Sequence, residues 1–449
     1  MEPFRIHLFV CIQQKPEGVV SCPASGSFGV LESLDREIQA RKLDRNVQLT
    51  TCGCMGLCDE GPVMVVYPEG VWYRRVKPSD VTEIVNSHFA DGKPVDRLTW
   101  NDPPAMQAMA VDHTEKFRAA MAARDKAGVL PDRLEQMIRG YQPSRCLLTA
   151  LELDIFTAVG DGAGAAEIAQ KIGVDTRALA TLLNALVALG VLAKNGNQYK
   201  NTAESARFFV EGSKDNHRHG LLHTANIWHS WSTLTDAVRT GTRVPAAGGF
   251  GPSGTKNFIA AMQRNAKDRA TLVVKALGTD GIRHVLDLGG GSGAYSIAFA
   301  KASPNVQCEI LDLPEVLPLT EEYVRQAGVS GQIKLRAGDM LRGDLGAGYD
   351  LVMLNAICHM FSEDENRELF RRSRKALAPH GRLAVQDFIL NPDKTGPTHA
   401  ALFSINMLVG TDRGASYSEP EYTEWMQAAG FNDVKRINLP GPSSLIVGK

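Results

Sequence analysis

The sequence predicts an α/β protein in three parts: a small mixed domain, a helical unit with a β-wing, and a doubly wound sheet domain. Three observations carry this. His284 to Leu288 is an apolar strand that runs through Gly289-Gly290-Gly291-Ser292-Gly293 into an apolar helix from Ala294, the strand–turn–helix unit of open α/β sheets. Residues 164–192 read as helix, turn at Gly173 and helix, with a short hairpin at 194–199 behind them. Five of the eight cysteines fall in the first 58 residues, between short strands and helices. At 449 residues the chain has room for two or three domains.

Composition narrows the function. Hydrophobic residues make up 44% and charged residues 22%, as in an ordinary globular chain. The 49 basic and 50 acidic residues leave a net charge of −1. That argues against a dedicated nucleic-acid or anionic-membrane binder, whose affinity rests on a basic surface. No apolar run approaches the roughly 18 residues of a membrane span. The start, Met1 to Val10, is too short and too polar at its head for a secretory signal. A cytoplasmic chain is expected.

Residues 1–98 form the first domain. Ile6 to Cys11 reads as a strand, Phe28 to Lys42 as a helix with Val30, Leu31, Leu34 and Ile38 on one face, and Val47 to Thr50 as a second strand. Strands at Val63 to Tyr67 and Gly70 to Tyr73 and a helix from Asp80 to Phe89 complete it. The chemistry lies in the loops. Ten residues separate Cys11 from Cys22, thirty-one separate Cys22 from Cys54, and three separate Cys54 from Cys58. Four thiolates can hold a tetrahedral zinc or an iron–sulfur cluster. Structural zinc usually takes two close pairs, and here only the second pair is close. Gly53, Gly56 and Gly61 let the backbone bend round a cluster and aim amides at its sulfurs. Four unrelated cysteines or a redox dithiol are the plainer readings.

This segment resembles the thioredoxin-like [2Fe–2S] ferredoxins through Cys11, Cys22, Gly53-Cys54-Met55-Gly56-Leu57-Cys58, Gly61-Pro62 and the run Tyr67 to Tyr73. The resemblance implies Cys11, Cys22, Cys54 and Cys58 as cluster ligands, with Cys52, two positions earlier, as the alternative to Cys54. That family pairs as dimers and moves single electrons, which implies an electron-transfer partner.

Residues 99–129 read as a linker and connecting helix. Breakers stand at Asp91-Gly92-Lys93-Pro94 and Asn101-Asp102-Pro103-Pro104, and residues 105–127 have none. Val95 to Trp100 suits an edge strand or a segment lying on the next domain. Residues 130–272 form the second domain. Helices are expected at Leu134 to Arg139, onward to about Leu153, at Gly164 to Ala169 and at Thr176 to Leu189, with a wing from Lys194 to Tyr199. A winged helix suggests DNA, but Lys171 and Arg177 are cancelled by Glu167 and Asp175. A packing and dimerisation role is the better reading, giving a homodimer. His217, His219, His223 and His229 stand at spacings that allow zinc. With no cysteine nearby and Trp228 and Trp231 beside them, a pocket wall or satisfied core is preferred. Gly241 to Gly254 is a Gly/Pro-rich loop.

Residues 273–449 form the third domain. The glycine turn puts amides at a helix N-terminus beside a bound cofactor, where a side chain would occupy the cofactor's space. The second strand, Gln307 to Leu311, ends at Asp312-Leu313, where a carboxylate can accept from both hydroxyls of a ribose. The third, Ile333 to Leu335, leads to Gly338-Asp339-Met340, placed to contact an adenine. The fourth, Tyr349 to Leu354, leads to Cys358 and His359. A helix from Glu363 to Ala376, a strand from Gly381 to Phe388, a helix from Glu421 to Ala429 and a strand from Ser443 to Val447 close an open sheet.

Residues 130–449 resemble the class I S-adenosylmethionine-dependent small-molecule O-methyltransferases of the plant phenolic, acetylserotonin and carotenoid type. The matching motifs are Asp287 to Gly293, Asp312-Leu313-Pro314-Glu315-Val316, Gly338-Asp339-Met340, His359 and Ala429-Gly430-Phe431. The resemblance implies a dimerising winged helix ahead of a Rossmann-like domain. It implies cofactor contacts from Asp287, Gly289, Gly291, Gly293, Asp312, Leu313, Asp339 and Met340. It makes His359 the general base and Asp387 the carboxylate that steadies it. The chain departs from the pattern twice. Met360 stands where Asp often follows the histidine, and Ser416 stands where a second supporting carboxylate is expected, with Asp412 and Glu419 out of register. A small or aromatic acceptor methylated at a hydroxyl is the leading expectation. The alternatives are a C-methyltransferase on a large conjugated ring, an electron carrier or redox sensor on an inactive methyltransferase scaffold, and a nicotinamide oxidoreductase fed by the cluster.

Overall fold

The computed structural model describes residues 4–15, 19–245 and 254–449, with every side chain among them except that of His219. Residues 246–253 of the Gly/Pro-rich run and Met1 to Pro3 of the start fall outside it, as does that histidine's place in the 217–229 set. The chain divides into two compact units, Met1–Gly140 and Tyr141–Lys449.

In the first unit, strands β1 (Ile6–Cys11), β2 (Val47–Cys52), β3 (Met64–Tyr67) and β4 (Val71–Tyr73) form one sheet in the order β2-β1-β3-β4. β1 is parallel to β2 and antiparallel to β3. Ile6, Leu8 and Val10 alternate inward and meet Val30, Leu34 and Ile38, one stripe of the helix Ser27–Ala40. β2 runs two residues past the expected end, which sets Cys52 opposite Cys11 in register. The expected helix 80–89 forms as a short α-helix, Val81–Ile84, that widens over Val85–Ala90. Residues 95–100 form no strand. Val95 and Leu98 bury into this unit's own core, and Thr99 makes a single bridge to Tyr73. The helix Pro103–Lys126 follows, capped by Asp102, whose carboxylate accepts the Ala105 N–H at 3.0 Å.

In the second unit, helices Tyr141–Glu152, Ile155–Val159, Ala165–Ile172 and Thr176–Ala188 enclose a core of Leu151, Ile155, Phe156, Ile168, Leu183 and Leu186. The wing is a three-stranded sheet of β5 (Ala163–Gly164), β6 (Leu192–Asn195) and β7 (Gln198–Asn201) in the order β5-β7-β6. Two basic side chains of this unit are held internally: Lys171 on the helix Ala165–Ile172 donates to the Ala158 carbonyl at 3.1 Å, and Lys194 on β6 donates to Asn184 at 2.9 Å.

The large sheet has seven strands: β8 (His284–Leu288), β9 (Gln307–Asp312), β10 (Ile333–Ala337), β11 (Tyr349–Asn355), β12 (Leu377–Asp387), β13 (Lys435–Asn438) and β14 (Ser444–Gly448). Their order is β10-β9-β8-β11-β12-β14-β13, parallel from β10 to β12 and antiparallel thereafter. Successive residues face opposite layers. Val285 packs with Val273 and Phe299, while Leu286 packs with Phe370 and Trp425. The chain steps outward from β8 to β10 and then returns to β11 beside β8. This reversal opens a crevice at the strand carboxyl ends, where open α/β sheets bind ligands. Helices Leu317–Gln326 and Thr398–Gly410 and strand β13 are elements the sequence pattern did not announce.

Candidate active site and cysteine centre

The glycine turn after β8 sits in that crevice. Gly289, Gly291 and Gly293 have φ of 66°, 56° and 77°, a left-handed conformation that disfavours side chains. A Cβ on Gly289 would lie 2.5 Å from Ile357 Cδ1 and 2.9 Å from Met340 Cε, so the turn and the predicted Met340 meet. The turn is fixed from below. Gly289 N–H donates to the Leu311 carbonyl at 2.8 Å, and Gly291 N–H donates to Asp312 Oδ2 at 2.8 Å. Asp312 Oδ1 accepts from Leu313 N–H at 2.7 Å. Each of its oxygens keeps a second acceptor site. Burial raises the Asp312 carboxyl above its usual range. Asp339 accepts from Leu341 N–H at 2.8 Å and remains exposed.

Asp287 is fully buried beneath the turn. Its Oδ2 accepts from Ser296 Oγ at 2.8 Å. Burial pushes this carboxyl up to about 6. The Asn355 amide, at the end of β11, is likewise buried and lies close enough to Asp287 to offset part of that rise. A glycine cradle with the Asp312 carboxylate at its rim suits a ligand with hydrogen-bonding groups of its own.

His359 lies in the turn Cys358–Met360 after β11, and Asp387 ends the neighbouring strand β12. His359 Nδ1 and Asp387 Oδ1 are 2.7 Å apart, with both side chains buried. Asp387 also accepts from His359 N–H at 3.2 Å, Phe388 N–H at 2.8 Å and Tyr422 Oη at 3.1 Å. Burial holds the Tyr422 hydroxyl well above its ordinary range, so it remains a donor. With Nδ1 committed to Asp387, Nε2 is the free ring nitrogen. Phe403 meets the imidazole edge-on at 4.7 Å, and Phe388 lies 4.3 Å from Phe403. The site is an oriented imidazole in an aromatic wall.

The two departures from the family pattern have structural outcomes. Ser416 is buried with its hydroxyl unpaired, and its N–H donates to Ser404 at 3.2 Å. Asp412 pairs with Arg243 at 2.7 Å and Glu419 with Arg436 at 3.4 Å, both at exposed positions. Met360 is exposed. None of these side chains supports His359. Tyr422 and Phe403 are the site residues that sequence reasoning missed. Tyr422, Trp425 and Met426 repeat at helical spacing as one buried face; a tyrosine there needs a partner for its hydroxyl, and that was the available signal.

In the first unit the cysteines converge. Cys11, Cys22 and Cys58 are buried and Cys54 is exposed. Cys54 and Cys58 sulfurs are 3.4 Å apart. Hydrogen bonding with Cys22 draws Cys11 down to about 6 and Cys58 down to about 5, while Cys22 itself is pushed up. Gly56 N–H donates to Cys54 Sγ at 3.3 Å. A Cβ on Gly61 would come within 3.1 Å of Cys22 Sγ. Cys52, half-buried on β2, is raised to about 11 by burial. Four adjacent soft sulfurs with amides aimed at them suit an iron–sulfur cluster. His113, from the helix read as a linker, places a ring nitrogen within 4.8 Å of the Cys54 and Cys58 sulfurs. Sequence spacing gave no sign of it. The histidines at 217–229 make no such group among the described residues: His217 stacks on Phe208 and His223 packs edge-on against Phe258.

Comparison with known proteins follows these three regions. Residues 13–88 match the thioredoxin-like [2Fe–2S] ferredoxin family, 135–211 an O-methyltransferase dimerisation domain, and 231–432 an O-methyltransferase domain. A relative, 3-hydroxy-5-methyl-1-naphthoate 3-O-methyltransferase of Streptomyces sahachiroi, is 32% identical over 71% of this chain and 95% of its own length. The chain belongs to the O-methyltransferase family. Among solved structures, PigF with SAH aligns at a TM-score of 0.66 and 27% identity over 72% of this chain and all of PigF, a methyl transferase of Serratia. An O-methyltransferase family protein from Burkholderia thailandensis aligns at 0.65 and 27% over 71% of this chain and 97% of its own. This methyltransferase uses S-adenosylmethionine and carries a [2Fe–2S] ferredoxin domain at its amino terminus. Among its described residues no helix is long and apolar enough to cross a membrane.

Proposed function

We propose that the enzyme methylates a hydroxyl on an aromatic acceptor, with His359 as general base and Asp387 orienting it. The 2.7 Å bond between His359 Nδ1 and Asp387 carries this reading. It leaves Nε2 to take the acceptor's proton. Phe388 and Phe403 favour a flat, conjugated acceptor beside the ring. Two relatives named for O-methylation of a naphthoate and of a tetracenomycin polyketide support the same class. S-adenosylmethionine supplies the electrophilic methyl. Asp287, Gly289, Gly291, Gly293, Asp312, Leu313, Asp339 and Met340 would hold it, with Asp312 offering its carboxylate to the ribose hydroxyls, Asp339 and Met340 placed for the adenine, and the glycines leaving room where side chains would intrude. As the acceptor oxygen attacks, His359 becomes an imidazolium and Asp387 balances its charge.

Cys11, Cys22, Cys54 and Cys58 are the proposed cluster ligands, since Cys54 rather than Cys52 neighbours Cys58. The cluster supplies one-electron capacity, which implies a redox partner. The divisions proposed are ferredoxin domain 1–98, linker 99–129, winged-helix domain 130–272 and methyltransferase domain 273–449. The match to a dimerisation domain supports a homodimer. The crowding of five of the eight cysteines into the first 58 residues supports a reducing, cytoplasmic setting.

The test is single-turnover methyl transfer to a hydroxynaphthoate, compared for wild type and His359→Ala across about pH 5.5–9. The wild-type rate should rise with pH and flatten. The variant should lose about 10²–10⁴-fold and the inflection with it, while cofactor binding holds. An unchanged rate and profile removes His359 as the base.

A further inference from the structure

We propose that Lys15 is a charge that sets the reduction potential of the cluster, held over Cys58 by His113 of the helix Pro103–Lys126. The inference rests on the four-cysteine assignment above.

Lys15 Nζ donates to Cys58 Sγ at 3.1 Å. The same ammonium contacts His113 Nε2, and it lies 5.1 Å from the centre of the Phe117 ring. An ammonium has three N–H donors and no acceptor, so one can serve the sulfur while a second serves the imidazole. His113 and Phe117 are four residues apart and share a helix face. The face continues through Met106, Met109 and Ala110, which pack against Cys11, Cys22, Leu57 and Val63. Gly56 makes this approach possible: a Cβ there would lie 2.8 Å from Ala110 Cβ. The helix has no fully buried residue of its own, yet its apolar stripe closes over the cysteines. What looks like a linker is a lid on the cluster site.

Potentials of iron–sulfur centres depend on net charge, hydrogen bonds to the sulfurs and exposure to water. Lys15 supplies the first two at Cys58, and the lid reduces the third, which weakens screening of the charge. A fixed cation beside a thiolate ligand stabilises the added electron and raises the potential. His113 and Phe117 are positioning residues: without them the flexible lysine stem swings into water. In the redox step the cluster gains one electron from an external reductant, dithionite in the test, and no bond to the protein forms or breaks.

The experiment is a redox titration of the full-length, cluster-loaded chain, followed by visible absorption and electron paramagnetic resonance. Lys15→Gln should lower the midpoint by the equivalent of about a tenfold change in the oxidised-to-reduced ratio, 59 mV for one electron. Lys15→Arg, which keeps the charge, should stay near wild type. His113→Ala should move in the same direction as Lys15→Gln by less, and His113→Gln, which restores an acceptor, should recover part of the loss. A full complement of iron with an unchanged potential in Lys15→Gln overturns the proposal. If that variant fails to load iron, the same result in His113→Ala overturns it. Altered g values with loss of nitrogen hyperfine coupling in His113→Ala would make His113 an iron ligand and also overturn it. Failure of the underlying assignment is separate: Cys54→Ala would then retain the wild-type spectrum.

Discussion

Asp387→Asn separates the orienting role of this carboxylate from its mere presence. The carboxylate receives four donors, two on each oxygen: His359 Nδ1 and Phe388 N–H on Oδ1, and His359 N–H and Tyr422 Oη on Oδ2. An amide has one oxygen, so an NH₂ must replace the other. If it faces Tyr422, that hydroxyl can turn to accept, and only the His359 backbone N–H is orphaned. If it faces His359 Nδ1, the imidazole must change tautomer, Nε2 becomes protonated, and the Phe388 N–H is orphaned instead. Either arrangement leaves one buried N–H unmet, a cost of about 1–3 kcal/mol in stability. In the first arrangement the imidazolium formed during transfer loses its carboxylate. A charged hydrogen bond is worth about 1.5–3 kcal/mol, so the rate falls roughly ten- to a hundredfold. In the second the base itself is blocked, and a loss approaching about 10⁴ follows, as for a triad whose histidine holds the wrong tautomer. Single-turnover methyl transfer measures the rate, urea unfolding measures the stability, and calorimetry should find cofactor affinity nearly unchanged. A variant that transfers methyl as fast as wild type would refute the orienting role.

Three further outcomes are expected. Asp312→Ala should weaken S-adenosylmethionine binding by about ten- to a hundredfold, the worth of a charged hydrogen bond; calorimetry giving the wild-type affinity removes the ribose assignment. Asp287, raised by burial to about 6 from 3.8, binds its proton more tightly folded than unfolded. Its cost to the cofactor-free chain is therefore full above about pH 6 and vanishes as pH falls below about 4. Asp287→Asn should then stabilise that chain by up to about 3 kcal/mol at pH 7.5 and by almost nothing at about pH 3; equal urea midpoints at the higher pH contradict this. Anaerobically purified chain should hold about two irons and two sulfides, lost in Cys54→Ala and kept in Cys52→Ala; zinc alone in wild type overturns the cluster ligands.

The residues that were legible are those whose chemistry is local. Gly289 to Gly293, Asp312 and His359 each sit where a strand ends, and a strand end shows in the sequence as an apolar run that stops. The helix Ser27–Ala40 and the wing likewise follow from spacing within a few residues. Contacts made by distant segments left no periodic trace. Phe403 belongs to a helix, Thr398–Gly410, that is apolar nearly all round, so its pattern marks no face. His113 sits in a helix with little amphipathic contrast, and only the fold brings it to Cys58, 55 residues earlier. Val95 and Leu98 could not reveal which domain they would cover; the core beneath β4 took them.

The base stands in the turn after β11 and its carboxylate ends β12, with Phe388 of the aromatic wall next in the chain, whereas Phe403 rides on Thr398–Gly410, where only Ala400, Met407 and Val409 are buried. Acceptor range is thus shared between a residue beside the base's carboxylate and a helix that follows later in the chain. Varying Leu402, which is exposed on that helix, should change which rings are accepted with little effect on turnover, whereas Phe403, packed against the imidazole, is tied to the base itself. The limit of such diversification is Gly414, where a Cβ would overlap the carbonyl oxygen of His359; there a substitution meant to reshape the pocket would dislodge the base.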